Sequence, residues 1–356
     1  MAHCREGSLG YNLAHCQSCH HQQWYASSCG DRHCPNCLGP RQMEWSEKIC
    51  ERLPDCPHFH IVFTVPESFH EFFRLNFKVA TAEFFGAAAE TLKQFQKNNW
   101  GVDGGFFGVL HTWGSGLNWH PHLHCLVSSG GADRKTGRWR QARRDYSFPV
   151  RAMSRVFAAI LCRRLEALEG HESVEWPPGL VSLEERRAWR VALYSQGWNI
   201  FSRATLGNTR AVVRYLARYT SRIAMSNQRI ESVDEDERTV SFTVKDYRNE
   251  GVKKRLTLSG KEFIRRFTWH LVPRGLRRVR YYGYLARRAT LAQIEGAPER
   301  CLKESACEPE RRPCERCQGT EWRFAALYLP AMMVPSVTRC LTGKGSFSLV
   351  RTRAAP

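Results

Sequence analysis

The chain has no apolar run long enough to cross a bilayer, and its N-terminus lacks the apolar core of a secretion signal. The expectation is a cytosolic protein with no membrane partner. Acidic side chains are scarce as well, 34 Asp and Glu against 53 Lys and Arg, which leaves a net charge of +19. Such an excess favours a polyanionic partner, because every neutralised phosphate releases counterions. Charge alone does not choose between DNA, RNA and an acidic surface. No internal repeat is visible. At 356 residues the chain can bury one catalytic core and carry smaller attachments.

Cysteine, by contrast, is abundant. There are 15, an odd number, and eight precede Phe59. A secreted disulfide scaffold would spread them through a small domain, whereas C-x-x-C pairs in a basic chain read as zinc ligands. Cys16-x-x-Cys19 and Cys34-x-x-Cys37 offer four thiolates in two tight knuckles, the donor set of a tetrahedral structural Zn²⁺. Cys4, His3, Cys29 and His33 remain as candidates for a second zinc, and Arg32, Arg41 and Lys48 lie nearby for phosphates. Cys301, Cys307, Cys314 and Cys317 form a looser set near the other end.

Pattern divides the chain into a zinc-binding module (1–57), a catalytic domain (58–296) and a Cys-containing segment with a loose tail (297–356). Residues 58–65 are apolar and β-prone up to Pro66, a buried strand; 67–99 is mostly helical. Phe106 to Trp113 and Leu123 to Val127 read as strands either side of a Gly114-Ser115-Gly116 turn. Helices follow near 150–170 and 183–194, a short strand at 198–201, and a helix near 209–224. The acidic stretch 231–237 reads as a solvated hairpin or loop. Val240 to Val244 and Leu256 to Leu258 suit paired strands, with a helix opened by Ser259.

Two segments carry chemistry. In His120-Pro121-His122-Leu123-His124 an extended backbone turns His122 and His124 to one face and Leu123 to the other. Two imidazoles on a buried strand make half of a divalent-metal site. His120, at even spacing, is a candidate third ligand; so are His111 and His60, and the sequence does not choose among them. Imidazole nitrogens bind Mg²⁺ poorly and suit Mn²⁺ or Zn²⁺, with phosphate oxygens completing the shell. Further on, Tyr215 and Tyr219 sit four residues apart on one helical face, beside a stripe of Arg210, Arg214, Arg218 and Arg222. Helical projection sends Val212, Leu216 and Ile223 to the core and leaves the phenols at the border, Tyr219 nearer the core. A phenol of ordinary pKa near 10 needs neighbouring cations or a metal to become a nucleophile. Trp113, Trp119, Trp139 and Tyr282, near basic stretches at 134–144, 210–222 and 274–288, are candidates for stacking on bases.

Together these blocks resemble the rolling-circle insertion-sequence transposases, two-tyrosine members of the His-hydrophobic-His endonuclease superfamily. The resemblance lies in Ser28 to Cys37, His58 to Pro66, Leu110 to Gly114, His120 to Val127, Arg214 to Thr220 and Gly275 to Gly283, in that order across most of residues 4–290. It implies an α+β fold in which a central antiparallel sheet with flanking helices carries the histidines. A helix beneath the sheet presents the tyrosines, and a zinc domain precedes them. It implies cleavage of single-stranded element ends through a 5′-phosphotyrosine, with a free 3′-OH and no ATP. By motif, His122 and His124 would bind catalytic Mg²⁺ or Mn²⁺, Tyr215 and Tyr219 would attack, and Arg214, Arg218 and Arg222 would hold DNA. A bacterial, nucleoid-associated setting goes with that role. A start almost on the first cysteine departs from the longer N-termini of that family and suggests a shortened copy. The alternatives are a relaxase or replication initiator with the same chemistry, and a zinc-dependent DNA-binding regulator that does not cut.

Overall fold

The structure is a computed structural model that describes residues 4–31, 34, 37–142, 148–205, 209–221, 224–225, 227–246, 251–286, 291–299, 313–328, 337–342 and 346–351. In chain order it contains β1 (Tyr11–Cys16), β2 (Gln22–Ala26), α1 (Leu38–Cys50), β3 (His58–Thr64), α2 (His70–Leu75), α3 (Phe77–Phe95), β4 (Val102–Trp113), β5 (Trp119–Asp133) and β6 (Trp139–Gln141). There follow α4 (Val150–Glu166), α5 (Leu183–Ser195), β7 (Ile200–Ala204), α6 (Thr209–Ser221), β8 (Ile230–Asp234), β9 (Thr239–Asp246), β10 (Val252–Ser259) and α7 (Gly260–Thr268). The last strands are β11 (Val279–Tyr282), β12 (Trp322–Tyr328), β13 (Val337–Thr342) and β14 (Ser346–Arg351). Two compact units result, Met1–Arg41 with Lys303–Pro356, and Gln42–Leu302.

The first unit is a five-stranded antiparallel sheet in the order β14-β13-β12-β1-β2. Both chain ends contribute to it, so the N-terminal module and the C-terminal segment are not the separate pieces that the sequence pattern suggests. Residues expected as a loose tail supply three of its strands. Periodicity within one segment misses this, because the strand that β12 needs as a partner lies some three hundred residues away, with Tyr328 opposite Tyr11.

The second unit is α+β, as expected. Its main antiparallel sheet runs β11-β4-β5-β3-β7, with β6 added on β5. Strand alternation gives the sheet two different faces. On one, Phe59, Ile61, Phe63, Phe106, Leu110, Leu123, Cys125 and Val127 pack beneath Phe84, Phe85 and Leu92 of α3 and Phe157 and Leu161 of α4. Phe63 is fully buried with its ring 4.9 Å from that of Phe157. Phe63→Ala is therefore expected to cost about 3–5 kcal/mol, seen as a lower denaturation midpoint with an unchanged slope.

The intervening residues point the other way. Register places His111 opposite His122, and Val62 and Val109 either side of His124. On the same face Phe107, Val109 and Leu126 make a second apolar cluster with Ile49 of α1, Leu53, and Val213 and Leu216 of α6. The face that carries the histidines is thus the face on which the tyrosine helix docks.

The acidic stretch forms most of β8 and the turn that leads to β9, and β9 and β10 pair with Phe242 opposite Leu256 and Val240 opposite Leu258. Ser259 caps α7, its Oγ accepting from the Glu262 N–H at 3.3 Å. Among the described residues no helix is long and apolar enough to cross a membrane.

Candidate active site

His111, His122 and His124 each bring a ring nitrogen within 4.8 Å of the others. Ring centroids are 5.0 Å apart for His111 and His122, 4.2 Å for His111 and His124, and 4.9 Å for His122 and His124. His120 is not in this group, which corrects one expectation. Its ring faces His70, and its carbonyl oxygen accepts from His122 Nδ1 at 2.7 Å. The reason is strand geometry: four residues along a strand advance about 13 Å, so His120 and His124 stand too far apart to share an ion. A residue directly across an antiparallel pair lies about 5 Å away, and His111 occupies that place.

The hydrogen bond to the His120 carbonyl also settles a tautomer. A carbonyl only accepts, so Nδ1 of His122 carries the proton and Nε2 keeps its lone pair. Burial holds His122 down to about 4. Burial, reinforced by the neighbouring imidazoles, holds His111 and His124 well below the usual histidine range. All three are neutral near pH 7, the state in which imidazole binds metal. His60 stands just outside, its Nε2 2.8 Å from Nδ1 of His124 and its ring stacked at 11°.

Helix α6 is anchored at its first residue. Thr209 Oγ1 lies 3.1 Å from Nδ1 of His58, and Thr205 Oγ1 donates to the His58 carbonyl at 3.0 Å, tying the helix start to β3. Val213, Leu216 and Ala217 are buried, so the helix is rotated slightly from the projected stripe of Val212 and Leu216. That rotation leaves Tyr215 36% exposed, its ring centroid 6.3 Å from His124 and 6.4 Å from His60. Arg214 beside it is exposed. Tyr219 and Arg218 continue the helix, their side chains outside the described set; Ile223, Arg222, His33 and His3 also lie outside the described residues.

The cysteines regroup. Cys4, Cys29, Cys34 and Cys37 form one cluster, and Cys16 and Cys19 join Cys314 and Cys317 in another. The expected quartet of Cys16, Cys19, Cys34 and Cys37 is not formed. The β1–β2 hairpin explains why: Tyr11 pairs with Ala26 at one end and His15 with Gln22 at the other. Five paired residues span about 15 Å, with Cys4 and Cys29 beyond one end and the Cys16–Cys19 turn at the other.

Residues 105–292 match the model of a family described as "Putative transposase", and residues 1–65 match the "Transposase zinc-binding domain" of IS91 type. The chain belongs to this transposase family. It is 37% identical over 290 residues to the "Putative transposase y4qJ" of Sinorhizobium fredii, covering 80% of this chain and 72% of that one. It is 32% identical over 293 residues to the "Transposase for insertion sequence element IS801" of Pseudomonas savastanoi pv. phaseolicola, covering 81% and 69%. Among solved structures, the conjugative relaxase TrwC in complex with OriT DNA is similar at 15% identity and a TM-score of 0.25, covering 45% of this chain and 70% of that one.

The surroundings of the histidine cluster in this transposase differ from the sequence reading in two respects. Trp113 is buried and stacked on His111, and Trp119 is stacked on His270. Tyr282 is stacked on Phe106, and Trp139 packs on Tyr284. Trp113 is thus taken up inside the fold, while Trp119, Trp139 and Tyr282 are half-buried against other rings. Arg134, Arg138 and Arg140 pair with Asp103, Glu295 and Asp133, so part of that basic stretch is spent on surface ion pairs. Sequence reading missed Phe201 and Arg203 of β7. Register sets them opposite Val62 and His60, on the histidine face, and Phe201 is 54% exposed with its ring 6.5 Å from His60. An aromatic and a basic residue alternating on a short edge strand were the only signs.

Proposed function

We propose that this transposase nicks and rejoins single-stranded DNA at the ends of its element, with Tyr215 as the attacking group. The observation that carries the reading is the Tyr215 ring resting against His60 and His124 on the face where three imidazoles converge. The phenolic oxygen, having lost its proton, attacks the scissile phosphorus; a tyrosine–phosphate ester forms on the 5′ side as the bond to the 3′ oxygen breaks and leaves a 3′-OH. One phosphoester replaces another, so resealing by a 3′-OH needs no ATP.

His111, His122 and His124 would hold a divalent cation, a nitrogen donor set that fits Mn²⁺ better than Mg²⁺. When bound, the ion draws charge from the scissile phosphate and orients it for in-line displacement. His60, bonded to His124, positions that ring. Tyr219, one turn after Tyr215, serves as the second nucleophile, so that one phenol holds a donor strand while the other attacks. The Arg214, Arg218 and Arg222 stripe neutralises phosphates.

The test is incubation with Mn²⁺ and single-stranded oligonucleotides from the element ends, followed by a denaturing gel. A protein–DNA adduct is the expected product. DNA retention with no adduct would leave a zinc-dependent DNA-binding protein and no nuclease. Phe201 gives a separate check: base–aromatic stacking is worth about 1–3 kcal/mol, so Phe201→Ala is expected to weaken single-strand affinity by that amount in a fluorescence anisotropy titration.

A further inference from the structure

The cysteines at the two ends of the chain meet in an arrangement that the zinc-binding domain of residues 1–65 does not contain. Cys16 Sγ lies 3.5 Å from Cys317 Sγ, and Cys19 Sγ lies 3.6 Å from Cys314 Sγ. All four sulfurs are within 4.8 Å of one another. A disulfide needs about 2.05 Å, so these are not bonded pairs. Four sulfurs at about 2.3 Å from one tetrahedral ion would stand about 3.8 Å apart, close to what is found.

The backbone around the two pairs repeats itself. Cys16 N–H donates to the His21 carbonyl at 2.9 Å and Cys314 N–H to the Gly319 carbonyl at 2.8 Å, each reaching five residues ahead. His20 N–H donates back to the Cys16 carbonyl at 2.9 Å, as Gln318 N–H does to the Cys314 carbonyl at 2.8 Å. The residue after each second cysteine is left-handed, His20 at φ 58 and Gln318 at φ 61. Two copies of one turn, each folding a C-x-x-C around a common point, face each other. Gly319 comes so close that a Cβ there would sit 2.8 Å from Ser18 Oγ and 3.3 Å from Cys317 Sγ. The Gln17 N–H donates to the Glu321 carbonyl at 2.9 Å, fastening the turns together.

Packing is not the reason for the cluster. Cys317 is exposed and Cys19 half-buried, whereas cysteines used as small apolar residues are buried.

We propose that Cys16, Cys19, Cys314 and Cys317 hold a second zinc ion, which joins the C-terminal segment to the N-terminal sheet. Zinc in the purified full-length chain is counted by release of the metal into a colorimetric indicator. Two ions per chain are expected, falling to one in Cys314→Ser/Cys317→Ser and to one in Cys29→Ser/Cys34→Ser. One ion in the wild type, or two in Cys314→Ser/Cys317→Ser, overturns the proposal. Because the serine variant can lose both ions by misfolding, Cys317→His is the second arm. It is expected to keep two ions and, loaded with Co²⁺, to lose part of the thiolate-to-cobalt absorption. A Cys317→His spectrum identical to wild type overturns the proposal as well.

Discussion

Tyr215→Phe is expected to lower formation of the covalent protein–DNA adduct by on the order of 10³-fold or more, with single-strand affinity changed by less than a factor of about three. The size follows from deleting the attacking atom itself, which leaves only residual positioning and charge effects. Affinity survives because the ring remains. Phenylalanine keeps the contact with His60 and His124, and Val213, Leu216 and Ala217 still seat the helix. The measurement is a denaturing gel for the adduct beside anisotropy for binding. Tyr219→Phe separates the roles of the phenols. It is expected to spare the first nick by Tyr215 and to reduce the joining of a second strand. A Tyr215→Phe protein that still forms the adduct at the wild-type rate, with Tyr219→Phe inactive, would reverse the assignment.

How far the sequence reaches can be followed residue by residue. The strands bearing His58 to Thr64 and His122 to His124 were legible because alternation over a buried face leaves a period of two. Helix α6 was legible because the arginine stripe and apolar stripe share one period; even so, a slight rotation exchanged Val212 for Val213 as the buried residue. The third imidazole was legible only as one of three candidates, His120, His111 and His60. His111 reaches His122 only through the register of β4 on β5, which depends on the length and shape of a turn and on an irregularity between His111 and Trp113. The cysteine pairing was hidden for the same reason at longer range. Spacing showed that each C-x-x-C is a knuckle, while the β1–β2 hairpin and the β1–β12 ladder decide which knuckles meet. Local pattern thus fixes which side chains share a face, and non-local pairing fixes which of them touch.

His122→Ala tests the other half of the site. Removing one of three imidazoles takes away the donor whose free nitrogen is already assigned by the bond from Nδ1 to the His120 carbonyl. Cleavage in Mn²⁺ is expected to fall about 10²- to 10³-fold, and DNA retention to stay within a factor of about three, since neutral imidazoles contribute no charge to phosphate binding. A thermal-melt titration gives an independent readout. A ligand at a hundred times its Kd stabilises the folded state by about 2.7 kcal/mol, so Mn²⁺ is expected to raise the wild-type melting temperature and to leave His122→Ala where it was. The substitution also removes a packed ring, so its own stability loss is read from the metal-free melts and kept apart from the metal response. His60→Gln completes the comparison. It keeps a polar partner within reach of His124 and removes none of the three converging imidazoles, so the expected loss is about 10-fold in apparent metal affinity, recovered by raising Mn²⁺. Loss of cleavage and of DNA binding in equal measure in His122→Ala would mean that the imidazoles hold the sheet together and that no cation works there.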